Sequence, residues 1–208
     1  MQIVAISDTH GKHRDVIIPD GDILIHAGDV TRGGTKEQTI EFLEWFVEQK
    51  HPHKIFIAGN HDFFFEQADP DEISSIIPDG IIFLNDSSVE INGFKFWGSP
   101  ITPWFNNWAF NRDRGSEIKQ HWDMIPEDTN VLITHGPPFG ILDETAYGKH
   151  TGCEELLIRV YQVRPKYHIF GHIHEDYGGF TEGETTFING SVLDDWYELK
   201  NQPKILNL

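Results

Sequence analysis

Asp8, Asp29, Asn60 and five histidines each stand just past a run of apolar residues in this sequence. "IVAISDTHG" puts Asp8 and His10 behind Ile3-Val4-Ala5-Ile6, and "DILIHAGD" delivers Asp29. "KIFIAGNHD" delivers Asn60, His61 and Asp62, "NVLITHG" delivers His135, and "KYHIFGHIH" delivers His172 and His174. A carboxylate at the mouth of an apolar segment is costly unless a positive charge faces it. Mixed imidazole, carboxylate and carboxamide donors suit Mn, Fe or Zn better than Mg or Ca, so a divalent metal centre is the charge these residues predict. Each motif alone has a plainer reading. Asp and Asn belong in turns, and a lone strand-end histidine is more often hydrogen-bonded than ligated. Five such strand ends in one chain are hard to explain as turns.

The elements that must position these residues can be read from the same runs. Continuous apolar stretches suit strands covered on both faces. In α/β sheets the strand C-termini converge on one edge, which would bring the five ends together. "TKEQTIEFLEWFVEQK" reads as a helix with Ile40, Leu43, Phe46 and Val47 inward and Glu41, Glu44 and Glu48 outward, begun by a Thr35–Gln38 capping box. "SVEINGFKFWG" reads as a hairpin turning at Asn92-Gly93. "TGCEELLIRVYQV" reads as a second helix with Cys153, Leu156, Leu157, Val160 and Tyr161 inward and Thr151–Glu154 as its capping box. In "GHIH", alternation along a strand would place His172 and His174 on one face. "TTFING" and "PKILNL" read as closing strands. No repeat, low-complexity segment or linker interrupts residues 1–208, which read as one domain.

Composition narrows the partners. The chain has 208 residues, 16 Lys+Arg against 33 Asp+Glu, and a formal net charge of −17. Such a surface repels nucleic-acid polymers, while a small anion can still bind where the site supplies local positive charge. Cys153 is the only cysteine, which suits a reducing compartment. The N-terminus lacks the pattern of a signal peptide, and no apolar run approaches the roughly 20 residues of a membrane span. The expectation is a soluble cytoplasmic protein acting on a small anionic substrate, with no membrane contact and an undetermined oligomeric state.

"SDTHG", "AGDVT", "GNHD", "THGPP" and "GHIH" together resemble the ordered motifs of calcineurin-like metallophosphoesterases, and the resemblance spans nearly the whole chain. "GSPITPWFNNWAFN", "ITHGPP" and "RPKYHIFGHIHEDYG" are more similar to the branch of metallophosphoesterase-domain-containing proteins, itself similar to class III cyclic-nucleotide phosphodiesterases. The resemblance implies an α/β fold, a four-layer αββα sandwich of two mixed sheets flanked by helices. It implies one divalent ion held by Asp8, His10, Asp29 and His174, and a second held by Asp29, Asn60, His135 and His172, with Asp29 bridging. Some members of that branch carry Gly at the first His of "GHIH"; this chain keeps His172, so its second metal site is expected to be complete. His61 would stand unligated as the proton donor to the leaving group, with Asp62 orienting His61 or the Asn60 backbone. The implied reaction is hydrolysis of small phosphodiesters, cyclic nucleotides among them, by attack of a metal-bridging hydroxide. A phosphomonoesterase of the same fold and a non-catalytic metal-binding scaffold are the alternatives. Retention of His61 and every ligand argues against the scaffold.

The Trp-rich stretch 102–115 is read as a wall of the substrate pocket, with Trp104, Phe105, Trp108 and Phe110 stacking on a base and Asn106, Asn107 and Arg112 reaching polar groups. A small core of its own is the competing reading. Trp104, Phe105 and Asn106 are the chosen substrate contacts. His26 is expected in the core or behind the ligands; the family resemblance implies Asn189-Gly190-Ser191 near the site, where a plain turn is the alternative; and His150, in a glycine-flanked loop, is read as structural or exposed ahead of a substrate contact.

Overall fold

The computed structural model describes all residues from Met1 to Leu208. Thirteen strands run in chain order. They are β1 (Gln2–Ile6), β2 (Ile23–Ala27), β3 (His53–Ile57), β4 (Ile81–Phe83), β5 (Ser87–Ile91), β6 (Phe94–Ser99) and β7 (Thr102–Pro103), followed by β8 (Asn111–Arg112), β9 (Val131–Thr134), β10 (Tyr167–Phe170), β11 (Gly178–Glu182), β12 (Thr185–Asn189) and β13 (Lys204–Asn207). Helices α1 (Lys36–Glu48), α2 (Phe63–Gln67), α3 (Pro70–Ile76), α4 (Ser116–Asp123) and α5 (Glu154–Val163) connect them.

Two mixed sheets result. One has the order β13-β1-β2-β3-β4 and the other β11-β12-β10-β9-β6-β5. In the first, β1 through β4 are parallel and β13 closes the edge antiparallel. In the second, β6, β9, β10 and β12 are parallel between antiparallel edges β5 and β11. Alternate residues of the central strands enter separate cores. Ile3, Ala5, Ile23, Ile25, Val131, Ile133 and Ile169 pack together in a cluster built from both sheets. Val4, Leu24, Leu132 and Phe170 point the other way, into a cluster shared with Phe42 and Phe46 of α1, Trp122 of α4 and Leu156 of α5. Sheet therefore faces sheet, and helices cover the outer faces. This four-layer αββα arrangement explains why the strands read as unbroken apolar runs.

The helical stripes differ from their sequence reading. On α1 the buried residues are Thr39, Phe42, Leu43, Trp45 and Phe46, whereas Ile40 and Val47 are exposed. Large aromatic side chains rotate the buried face toward themselves, where they remove more apolar area from water. Thr35 does cap α1, accepting from the Gln38 amide at 3.3 Å, but the Gln38 side chain accepts from the Gly33 amide instead of closing the box. On α5, Leu156, Val160 and Val163 are buried and Tyr161 is half-exposed. Cys153 is the N-cap and its side chain makes no capping bond, while Thr151 donates to the Asp143 carbonyl, so no capping box forms there. The Asn92-Gly93 hairpin forms as read, with both residues in the left-handed region a type I′ turn requires.

Two histidines sit in the helix-facing core and carry a stability consequence. His26 on β2 reaches Thr9 Oγ1 at 2.9 Å, and His168 on β10 reaches Thr134 Oγ1 at 2.8 Å. Burial pushes each imidazole down to about 3. A depressed histidine contributes stability that is complete above its unfolded value near 6.5 and is lost as pH falls toward the folded value. The loss between pH 7 and pH 5 is about 2 kcal/mol per histidine. His168→Gln keeps a partner for Thr134 and removes the titration. Denaturant unfolding at both pH values is expected to show a loss about 2 kcal/mol smaller in this variant than in the unchanged protein; equal losses would refute the assignment.

Candidate metal centre

The C-terminal ends of the parallel strands in both sheets meet at one edge. From the first sheet, β1 leads to Asp8 and His10, β2 to Asp29, and β3 to Asn60 and His61. From the second, β9 leads to His135, β10 to His172 and His174, and β12 to Ser191. Backbone bonds stitch the two edges together: the Ser7 amide donates to Gly190 O at 2.8 Å, and the Val192 amide to Ser7 O at 3.0 Å. Four of the candidate ligand positions, Asp8, His10, Asp29 and His172, have positive φ between 44° and 71°. Such backbone is uncommon for non-glycine residues and is retained where function fixes it.

These turns bring the donors within reach of one another. Asp8, His10 and His174 place ligand atoms within 4.8 Å, as do Asp29, His135 and His172. His174 Nε2 is 3.4 Å from Asp8, and His10 Nε2 is 3.3 Å from His174 Nε2. His135 Nε2 lies 2.8 Å from Asn60 Oδ1. Asp29 Oδ2 lies 3.5 Å from His10 Nε2 and 3.4 Å from His135 Nε2, so one carboxylate oxygen faces both groups.

Outer contacts aim the ligands. His135 Nδ1 donates to Ala27 O at 3.0 Å and His174 Nδ1 to Asp194 O at 2.9 Å, which leaves both Nε2 atoms for the centre. Asp8 accepts from the His172 amide at 2.9 Å and from Ser191 Oγ at 2.8 Å. Asp29 Oδ1 accepts from the His61 amide at 2.8 Å. Asn189-Gly190-Ser191 is thus part of the site's support.

His172 and His174 share the site for a reason other than strand alternation. β10 ends at Phe170, His172 turns with φ of 71°, and His174 opens a 3-10 turn. Gly171 permits this. A Cβ there would overlap the Asp8 carboxylate and Ser7 Oγ. Gly171→Ala is expected to displace Asp8 and weaken metal binding at least about tenfold by calorimetry, in the range of outer-contact losses. Unchanged affinity would contradict this packing.

The charge of the donor set fits divalent cations. Burial alone pushes the Asp8 and Asp29 carboxyls up, yet both are held far below the usual carboxylate range by the imidazoles around them, His174 for Asp8 and His135 for Asp29. Burial opposes the charge on His135 and His174 as well. Asp29 nevertheless lifts His135 to about 9, and Asp8 lifts His174 to about 9. Burial carries His10 and His172 down to about 4. Two buried carboxylates therefore demand positive charge between them; His10 and His172 stand neutral as donors, while the charged His135 and His174 would each give up a proton when a cation binds.

A cleft of about 260 Å³ opens over this centre. His10, Asp29, Asn60, His61, His172 and His174 form its floor, and Phe105, Trp108, Glu175, Asp195 and Tyr197 its walls. His61 stacks on Trp108 with ring centres 4.2 Å apart, and its Nδ1 donates to Arg32 O at 3.0 Å. Its other nitrogen is left free of that bond.

Several sequence assignments are revised. Asp62 contacts neither the His61 ring nor the cleft. Its buried carboxylate accepts from the Gly59, Val30 and Thr31 amides and the Thr31 hydroxyl, which clamps the loops after β2 and β3. Burial, with the Asp29 charge, raises it to about 6. Trp104 and Asn106 are exposed and are not among the cleft residues. The Trp104 amide pairs with Arg112 O at 2.8 Å, and Asn106 and Asn107 form an exposed left-handed turn. Phe105, largely exposed, and Trp108 line the cleft, while Ala109 and Phe110 are buried in the core, so the segment is both wall and core. Arg112 lies 4.0 Å from Glu66 and is not among the cleft residues. His150 pairs with Asp143 at 2.6 Å, also outside the cleft, and Cys153 is buried with its thiol pushed up to about 11. Glu175, Asp195 and Tyr197 went unread because nothing in their local sequence marks them as cleft residues.

The family model for calcineurin-like phosphoesterases matches residues 1–176. The chain belongs to that family. It is 40% identical to metallophosphoesterase domain-containing protein 1 of Homo sapiens over 230 aligned residues, covering 100% of this chain and 71% of the human protein. The protein of the same name from Mus musculus aligns with the same identity and coverage. Among solved structures, TT1561 of Thermus thermophilus superposes with a TM-score of 0.60 at 13% identity, covering 90% of this chain and 88% of that one, a likeness of fold. Members of this phosphoesterase family depend on two metal ions, and the donor groups described here suit that requirement. No helix is long and apolar enough to cross a membrane.

Proposed function

We propose that this phosphoesterase is a dinuclear-metal phosphodiesterase for small phosphodiesters. The observation that carries the reading is Asp29, whose single carboxylate oxygen stands within 3.5 Å of donor histidines on both sides. Asp8, His10 and His174 would hold one cation, Asn60, His135 and His172 the other, and Asp29 would join them. Bound, two divalent cations supply Lewis-acid charge for the phosphoryl group and the attacking water; the mixed donors suit Mn, Fe or Zn.

The chain's own residues do the rest. His61 faces the cleft, its ring held by Trp108 and by the bond to Arg32 O. Protonated, it donates to the leaving oxygen. Asp62 is a positioning residue that fixes the loop carrying Asn60 and His61. Phe105, Trp108 and Tyr197 provide flat apolar surface for an organic group.

Outside the metal centre, the charge of the cleft walls favours a diester over a monoester. No Lys or Arg lines the cleft, whereas Glu175 and Asp195 do. A monoester dianion meets more repulsion there than a diester monoanion. The surface charge of −17 disfavours nucleic-acid polymers in the same way. The single buried Cys153 fits a reducing compartment such as the cytoplasm.

The test is a panel on Mn-loaded protein: bis(4-nitrophenyl) phosphate, 4-nitrophenyl phosphate and the 3′,5′-cyclic nucleotides. Higher kcat/KM for diesters, abolished by chelator and restored by Mn, is expected. A preference for the monoester would replace this reading with a phosphomonoesterase.

A further inference from the structure

Part of the cleft wall lies beyond residues 1–176, the stretch the family model covers. A turn after β12 supplies it. Asp194 accepts from the Trp196 and Glu198 amides at 2.9 and 3.0 Å, while its carbonyl accepts from His174. This staples the turn to a metal-centre histidine and holds Asp195 and Tyr197 against the cleft. The Tyr197 ring lies 4.9 Å from that of His10 and 5.1 Å from that of His174. Phe105 and the Trp108 ring on His61 bound the same cleft. Glu175 adds a second carboxylate, fixed by the Ala146 amide at 3.2 Å.

Aromatic rings and carboxylates in one cleft without Lys or Arg are the surroundings that organic ammonium groups find favourable. Lys200 pairs with Asp194 at 3.4 Å and Lys12 donates to the Tyr197 carbonyl at 2.5 Å, and neither lysine lines the cleft. We propose that the cleft recognises a phosphodiester whose alcohol carries a quaternary or primary ammonium group. Such a zwitterion has no net charge for the −17 surface to repel. Its phosphate faces the metal centre, and its cation lies between the rings of Tyr197 and Trp108 and the carboxylates of Glu175 and Asp195. The inference rests on the phosphodiesterase reading for its reaction, and its binding part stands without it.

Two esters with one leaving group test it: 4-nitrophenyl phosphorylcholine and 4-nitrophenyl 3,3-dimethylbutyl phosphate, in which carbon replaces the ammonium nitrogen. On Mn-loaded protein the choline ester is expected to have a kcat/KM at least about fivefold higher at low salt. In the double variant Glu175→Gln/Asp195→Asn the ratio falls toward one. A second arm needs no metal: saturation-transfer NMR is expected to show choline, and not 3,3-dimethylbutanol, on the metal-free protein, with the signal lost in the double variant. A ratio near one overturns the inference, as does a preference or choline signal that the double variant leaves intact. If neither ester is hydrolysed, the choline arm decides the inference alone, and the phosphodiesterase reading falls.

Discussion

Asp29→Asn is expected to lower diester hydrolysis by about 10³-fold or more, beyond what excess metal restores. Asp29 is the one residue whose side chain faces both donor groups, at 3.5 Å from His10 and 3.4 Å from His135. It also accepts from the His61 amide at 2.8 Å, so it holds the loop that carries the proton donor. An asparagine amide has one acceptor oxygen and no charge. It leaves the centre with only Asp8 as a carboxylate and turns an N–H₂ toward a histidine or the His61 amide. Metal content is expected to fall together with activity. By contrast, Asp8 faces one donor group, so Asp8→Asn is partly rescued by excess Mn. A fully active Asp29→Asn protein would show that the carboxylate bridges nothing.

His61→Ala is expected to keep both metals and lose about 10²–10⁴-fold in rate on diesters with poor leaving groups. The ring is outside the ligand set proposed for either cation and is held by Trp108 and Arg32 O, so its removal leaves the metal donors in place. Esters of nitrophenol are expected to lose less, because nitrophenolate departs without a proton. Parallel rate measurements on an alkyl and a nitrophenyl diester decide it. Equal losses on both would make His61 a positioning residue, and loss of metal would make it a ligand.

The strand ends were legible because the pattern is doubly constrained. Strands buried on both faces must be apolar throughout, so Asp8, Asp29, His135 and their neighbours stand out at the boundary where each run stops. The apolar runs alone indicated strands covered on both faces; the four-layer arrangement was expected from the family resemblance those motifs carry. Helix faces were read less well. Leu43 and Phe46 were placed correctly, but Ile40 and Val47 gave way to Phe42 and Trp45, because periodicity alone does not rank apolar residues by size. The segment 102–115 shows the limit most clearly. Its aromatic content signals contact but not direction: Trp108 stacks on His61, whereas Trp104 is exposed outside the cleft. Asp62 illustrates another limit. A carboxylate beside a metal-site histidine reads as catalytic, and only the fold shows it bound to amides of Gly59, Val30 and Thr31. Asp195 and Tyr197 reach the cleft by a turn just beyond Asn189-Gly190-Ser191 that carries no recognisable motif of its own.

The account stands on two cations joined by Asp29. Crystals grown with Mn and measured on either side of the Mn absorption edge report this directly. Two anomalous peaks are expected, one beside Asp8, His10 and His174, the other beside Asn60, His135 and His172, with the Asp29 carboxylate between them. A single peak, with His135 and His172 turned away from it, would contradict the account.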